Sequence, residues 1–237
     1  MRVLIGLENN NEGRSLAWML EHFGCIGYGD DGQSAVVSMA KAIPDYIAWI
    51  EKHTPRPWFS PAEIDIRLVE IFDDYFIDEH QREVEKGGRL IKAWFKTDWM
   101  AVSEEELEHA MQVLTWARMD MFDLISPLSD KMLDACFTGE NMSIREILGH
   151  IGRSEWWLMD RLGRSHAEEL LPADPMERYQ KERAEMMVTL PELVNLDQVV
   201  GKDGEFWSPR KVLRRLCWHE RDHYQHIQRL INENRQA

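Results

Sequence analysis

"SPRKVLRRLCWHERDHYQHI", residues 208–227, decides the fold of the second half of the chain. Ser208 followed by Pro209 is a helix start: a hydroxyl to accept an orphan backbone N–H, then a residue whose fixed φ suits the first helical position. At about 100° per residue with His219 at zero, Val212, Leu216, Ile227 and Leu230 fall on one stripe between roughly 20° and 80°. His219 and His223 lie on the same face, one turn apart. Two imidazoles on a face that packs inward each need a polar partner. A divalent cation satisfies both, because histidines at i and i+4 converge on one ion. The alternative is a pair of core histidines satisfied by backbone carbonyls.

Residues 219–223 also read H-E-x-x-H, the signature of helical zinc proteases. Such sites take a third ligand from further along the chain, and only His226 stands downstream. It points along nearly the same face as His219 but about 10 Å up the axis, too far for one ion to hold all three. A protease is therefore set aside.

The third ligand is better sought on another helix. In "SIREILGHIGRSEWWLMDRL", residues 143–162, Ile144, Ile147, Ile151 and Leu158 form the inward stripe. His150 and Trp157 sit on its shoulder, where a side chain reaches a pocket between helices. His150, His219 and His223 then make a neutral three-histidine face, which leaves coordination positions open for water or substrate. Imidazole ligation suits zinc, nickel, iron or copper, with manganese a further candidate, and the sequence does not choose among them. Trp157, Asp222 and His226 are the candidate pocket residues. Glu155 and Glu220 are given no role, and no catalytic residue is singled out.

The rest of the second half repeats the same helix punctuation. Ser103 with Glu106, Ser143 with Glu146, and Asp174 with Glu177 have capping-box spacing, the last followed by Pro175. Helices are predicted over 103–126, 143–163, 174–194 and 208–234, and four helices with such connections make a bundle. The first half is different. Alternation in 2–8, 14–21, 24–32 and 63–72 predicts strands. Val36, Met39, Ala40, Ile43, Ile47 and Ile50 predict a helix, with a kink or restart expected at Pro44. The reading is a β-β-β-α-β domain over 1–77, a boundary over 78–102 without a clean period, and an all-α domain over 103–237.

Composition narrows the function classes. The 237 residues carry a net charge of −14, with 44% hydrophobic and 30% charged residues. No basic stripe accompanies the acidity, which removes the electrostatic basis for nucleic-acid binding. Three scattered cysteines form no disulfide framework or CxxC pair, which points to a reducing compartment. The opening "MRVLIGLENNNEG" is too short in apolar residues for a leader, and no stretch approaches the roughly 20 apolar residues of a membrane span. A cytoplasmic protein without membrane association is the simplest expectation.

Two resemblances follow. "SIREILGHIGRSEWW" and the later "SPRKVLRRLCWHERDHYQHI" resemble the DinB family of metal-dependent four-helix proteins over about 103–234. That family carries one histidine on the second helix and an HxxxH pair on the last, which fall here on His150, His219 and His223. The resemblance implies an up-down-down-up bundle, a divalent metal and a homodimer. It also implies, from several of its members, transfer of low-molecular-weight thiols. "SLAWMLEHFGCIGYGDDGQSAVVSMAKAIPDYIAWI", residues 15–50, resembles HicB-like domains over about 1–75, which implies binding of a protein partner. Together these give a metal-dependent enzyme acting on a small molecule, with thiol S-transfer as the specific expectation. The alternative is a non-catalytic binding protein whose metal is structural and whose first domain recognises a partner.

Overall fold

The chain runs out along its first strand and turns back at Glu12–Gly13, where φ is 53° and 85°. Two consecutive positive φ values are what a tight two-residue hairpin requires. The computed structural model describes residues 1–60 and 63–234. The chain divides into two compact units: Met1–Met100 with Val199–Lys211, and Ala101–Gln198 with Val212 onward.

The first unit is α+β. Strands β1 (Arg2–Asn11), β2 (Arg14–Met19) and β3 (Ile26–Gly29) precede helix α1 (Gly32–His53) and strand β4 (Asp65–Asp73). The sheet order is β3-β2-β1-β4, with β1 and β4 parallel. A parallel pair needs a crossover, and α1 supplies it. Asp31 caps α1 by accepting the Ser34 N–H at 2.7 Å. Ala35, Met39, Ile43, Tyr46 and Ile50 are its buried stripe. No restart occurs at Pro44: the helix is continuous from Gly32 to His53. The missing N–H removes one rung, while buried residues on both sides of the proline hold the helix to the sheet.

The stretch 78–102, read from sequence as a boundary, carries short elements of its own. Strands β5 (Tyr75–Ile77), β6 (Glu83–Val84) and β7 (Arg89–Ile91) form a small sheet, order β6-β5-β7, followed by a 3-10 turn over Lys96–Trp99. The stretch is tied into the first unit by fixed charges. The Ala93 N–H donates to the buried Glu8 carboxylate at 3.0 Å, and Lys96 N–H to Glu70 at 2.9 Å. Strands too short to show a period hid it from sequence reading.

The same holds for a hairpin between the third and fourth predicted helices. Strands β8 (Val200–Lys202) and β9 (Glu205–Trp207) pair across Asp203–Gly204, both at positive φ. This hairpin belongs to the first unit. Asp203 pairs with Arg89 at 3.0 Å, and the fully buried Lys211 ammonium lies 4.6 Å from the Trp207 ring and 2.6 Å from Glu205. The Trp207 ring thus covers the lysine near the start of the last helix.

The second unit is helical. Helices α2 (Glu104–Ile125), α3 (Asp130–Leu133), α4 (Ile144–Asp160), α5 (Pro175–Thr189) and α6 (Pro209–Asn234) follow in order, and α6 begins in the first unit before continuing in the second. Ser103 and Ser143 form reciprocal capping boxes with Glu106 and Glu146. Asp174 and Ser208 cap in one direction, accepting from Glu177 and Lys211 N–H. Met121, Ile125, Ile144, Ile147, Leu148, Ile151, Tyr179, Ile227, Leu230 and Ile231 share one core. No helix of the described residues is long and apolar enough to cross a membrane.

Two glycines set how closely α4 and α5 approach. A Cβ on Gly149 would lie 2.6 Å from Pro175, and one on Gly152 would lie 2.7 Å from the Arg178 carbonyl oxygen. The second obstacle is backbone and cannot rotate away. Gly152→Ala is therefore expected to destabilise the protein by about 1–3 kcal/mol through overpacking, read as a lowered denaturation midpoint.

Candidate metal centre

Each long helix of the second unit carries at least one buried charged side chain on its apolar stripe. Arg118 continues the stripe of Leu114, Met121 and Ile125, and Glu155 that of Leu148, Ile151 and Leu158. Arg183 follows Tyr179 by one turn, and Glu220 follows Leu216. All four charged residues are buried. Arg118 donates from Nε to Glu220 at 2.6 Å, from Nη2 to Glu155 at 2.9 Å and from Nη1 to the Tyr179 carbonyl at 2.6 Å. Arg183 donates from Nε to Glu155 at 2.9 Å, from Nη1 to the Leu114 carbonyl at 2.7 Å and from Nη2 to Glu220. The Tyr179 hydroxyl donates to Glu220 at 2.6 Å, and the Arg118 guanidinium lies 3.5 Å from the Tyr179 ring centroid. Burial by itself pushes the Glu220 carboxyl up, but Arg183 and Arg118 outweigh it and hold it below the ordinary glutamate value. Burial and the Glu220 charge push the Tyr179 hydroxyl upward, so it stays a donor.

This network fixes the rotation of α6, because Glu220 must face Arg118 and Arg183. His219 and His223 are thereby turned toward α4. His219 Nε2 lies 3.2 Å from His150 Nε2 and 3.2 Å from His223 Nε2. The three rings are 4.5–5.1 Å apart between centroids and half-buried. A single ring nitrogen is a donor or an acceptor, never both. His219 Nε2 therefore cannot satisfy both neighbouring nitrogens by hydrogen bonding. Donors about 2.0–2.1 Å from a tetrahedral ion stand roughly 3.3 Å from one another, the spacing seen here. The donor set and its spacing fit a divalent transition metal.

The candidate pocket residues separate. Trp157 lies under the Arg161 guanidinium, 4.5 Å from ring centroid to Cζ. Asp222 is half-buried on α6. His226 is turned to Glu140, 3.0 Å away, with its ring 6.3 Å from that of His223. Glu155 and Glu220, given no role from sequence, are the acidic half of the core network. The signal that marks all four charged residues is their position in apolar stripes, where an exposed side chain would not fall.

A protein thiol is not part of the centre. Cys217 is buried with its Sγ 3.7 Å from the Ala110 carbonyl oxygen, and burial pushes its pKa up to about 12. Cys25 is also buried, while Cys136 is exposed.

Residues 113–227 match the family model of the DinB superfamily. The matched segment contains His150, His219 and His223, together with Arg118, Glu155, Arg183 and Glu220. No curated protein and no solved structure matches the chain.

Two outcomes are expected. Glu220→Gln leaves Arg118 and Arg183 with uncompensated buried charge and costs about 3 kcal/mol or more in denaturant unfolding. The Glu220 contribution is complete above its unfolded pKa and is lost as pH falls through the lower folded value. The variant is therefore expected to lose part of the acid limb of the stability curve. Alkylation of the native protein near pH 8 is expected to label Cys136 alone, read by peptide mass, with Cys25 and Cys217 reacting after denaturation.

Proposed function

We propose that this protein is a divalent-metal-dependent enzyme acting on a small molecule. In this reading α2, α4, α5 and α6 form a DinB-type, up-down-down-up four-helix bundle, and the specific reaction is transfer of a low-molecular-weight thiol. The observation that carries the proposal is the convergence of three histidine Nε2 atoms from two helices, a donor set suited to one ion. Zinc, nickel, iron and manganese are the candidate ions. A cation bound there supplies Lewis acidity toward a thiol sulfur or an electrophile.

The chain's own residues supply the rest. His150, His219 and His223 hold the site as neutral ligands, so its positive charge stays available to an anionic substrate. Trp157 offers an apolar wall with a guanidinium on its face, suited to a small partly polar molecule. Asp222, directly before His223 in the chain, orients substrate or ligand. Exposed Met119, Phe122 and Val188 on α2 and α5 support a homodimer, and the cysteine usage supports a cytoplasmic location.

A second reading rests on the first unit, which we take as HicB-like. Leu68, Val69 and Ile71 are exposed on β4, an edge strand of its sheet. An apolar edge of this kind suits a protein partner, and in that reading the metal is structural.

The test is elemental analysis of untagged full-length protein beside His150→Ala and His219→Ala variants with native circular dichroism. Each variant is expected to lose the same equivalent of metal and, with it, turnover of thiol and electrophile pairs. Activity that survives in His219→Ala after this metal is lost overturns the mechanism.

A further inference from the structure

A second group of ligand-type side chains lies in the same unit but shares no residue with the histidine centre. His166 stands in the loop after α4. Glu182 and Glu185, three residues apart on α5, present their carboxylates on one face. Glu182 is almost fully buried, while Glu185 is partly open to solvent. His166 Nδ1 contacts the Ala167 carbonyl at 2.8 Å, so it carries the proton, and Nε2 is the atom left for the carboxylates. Nε2 lies 2.9 and 3.2 Å from the Glu182 oxygens and 3.3 Å from Glu185 Oε2. The ligand atoms of all three residues fall within 4.8 Å of one another.

The backbone at this point is held independently, since the Trp156 indole N–H donates to the His166 carbonyl at 3.0 Å. A cavity of about 90 Å³ adjoins the group, lined by Arg164, Ser165 and Thr189 among others. It has room for water to complete a coordination shell.

With Nδ1 protonated, a neutral His166 would aim its Nε2 lone pair at two carboxylates, so a proton or a cation lies between them. A proton on Nε2 gives an imidazolium paired with the nearly buried Glu182, while Glu185 is partly open to solvent and has Lys181 Nζ 3.7 Å away. A divalent cation with a neutral histidine and the two carboxylates balances the charge as well. A proton and a metal compete for the same place.

We propose that His166, Glu182 and Glu185 form a second divalent-cation site, of the zinc class, that fastens the loop after α4 to α5. One imidazole and two carboxylates are an ordinary ligand set for zinc. The Nδ1 contact with Ala167 is the outer hydrogen bond that sets the tautomer of a ligating histidine. Nε2 stands 3.2 Å from Glu182 Oε1 and 3.3 Å from Glu185 Oε2, the spacing of donors around a tetrahedral ion, with Glu182 Oε2 closer at 2.9 Å.

The experiment uses the full chain carrying His150→Ala and His219→Ala, so that the first centre is removed. Cobalt(II) is titrated in and followed by its visible absorption, and zinc is then used to displace it. The expected result is one saturable cobalt equivalent, lost when His166→Ala or Glu185→Gln is added, and a zinc-dependent rise in melting temperature that disappears with the same changes. Glu185 is partly open to solvent, and circular dichroism checks that each variant keeps the native fold. A folded background variant that takes up no cobalt, or one whose uptake is unchanged by His166→Ala, overturns the proposal. If the background variant fails to fold, His166→Ala alone on the otherwise unaltered chain answers by metal count. It is expected to bind one equivalent fewer than the unaltered chain, and an unchanged count overturns the proposal. Because the histidine centre is intact there, failure of this site is distinguishable from failure of the first.

Discussion

Arg118, Glu155, Arg183 and Glu220 meet inside a helical core, one from each of its long helices. Carrying any one of these charges out of water costs several kcal/mol, and no single pairing repays that with certainty of geometry. The set works because it is closed. Two positive and two negative groups cancel, the Tyr179 hydroxyl adds a donor, and the Leu114 and Tyr179 carbonyls take guanidinium protons that the carboxylates do not reach. An apolar core of the same volume would hold the helices together about as well. It would not dictate which side of each helix faces inward. A rotation of any helix by one residue, about 100°, would strand a charge, so the network selects one angular setting for all four.

The histidine centre inherits that setting. His219 adjoins Glu220, and His223 lies one turn further on. His150 lies five residues before Glu155 on α4. Ring nitrogens 3.2 Å apart have little tolerance for error in helix rotation or translation. Gly149 and Gly152 set the α4–α5 approach that brings Arg183 to Glu155. The histidine centre therefore depends on residues that lie outside it.

Much of this was legible in sequence where the signal is periodic or chemical. Helix starts were marked by Ser103, Ser143, Asp174 and Ser208 because a cap needs a particular side chain at a particular offset. The histidines were marked because imidazoles are rare on an inward stripe. The same logic extends to the four core charges, but charged residues are common on helices, and only the full alignment of each stripe separates an inward one from an outward one. Strands of two or three residues, such as β6 and β9, are too short for alternation to register. The Asp203–Gly204 pair is a hairpin signal, though it sits between segments that read as connections between helices. Pro44 does not end α1, for another reason: a local cost is outweighed by burial along the rest of the helix. The His166 group was invisible because its members are 16 and 19 positions apart, joined only by the return of the chain from α4 to α5.

The course of the chain has a consequence for dissection. Residues 199–211 return to the first unit, so the polypeptide passes between units at 100, at 198 and again within α6 at 211. The two units are not beads on a string, and a single cleavage does not separate them. A fragment beginning at residue 103 would keep the β8–β9 hairpin while losing Arg89, Lys92 and Trp94, which surround Asp203, Lys211 and Phe206. Its Lys211 would remain at the base of α6 with part of its burial gone. The smallest heritable piece of this fold is accordingly the whole arrangement. Insertions, deletions or domain exchanges that treat residue 100 as a clean joint would damage the foot of the helix that carries His219 and His223.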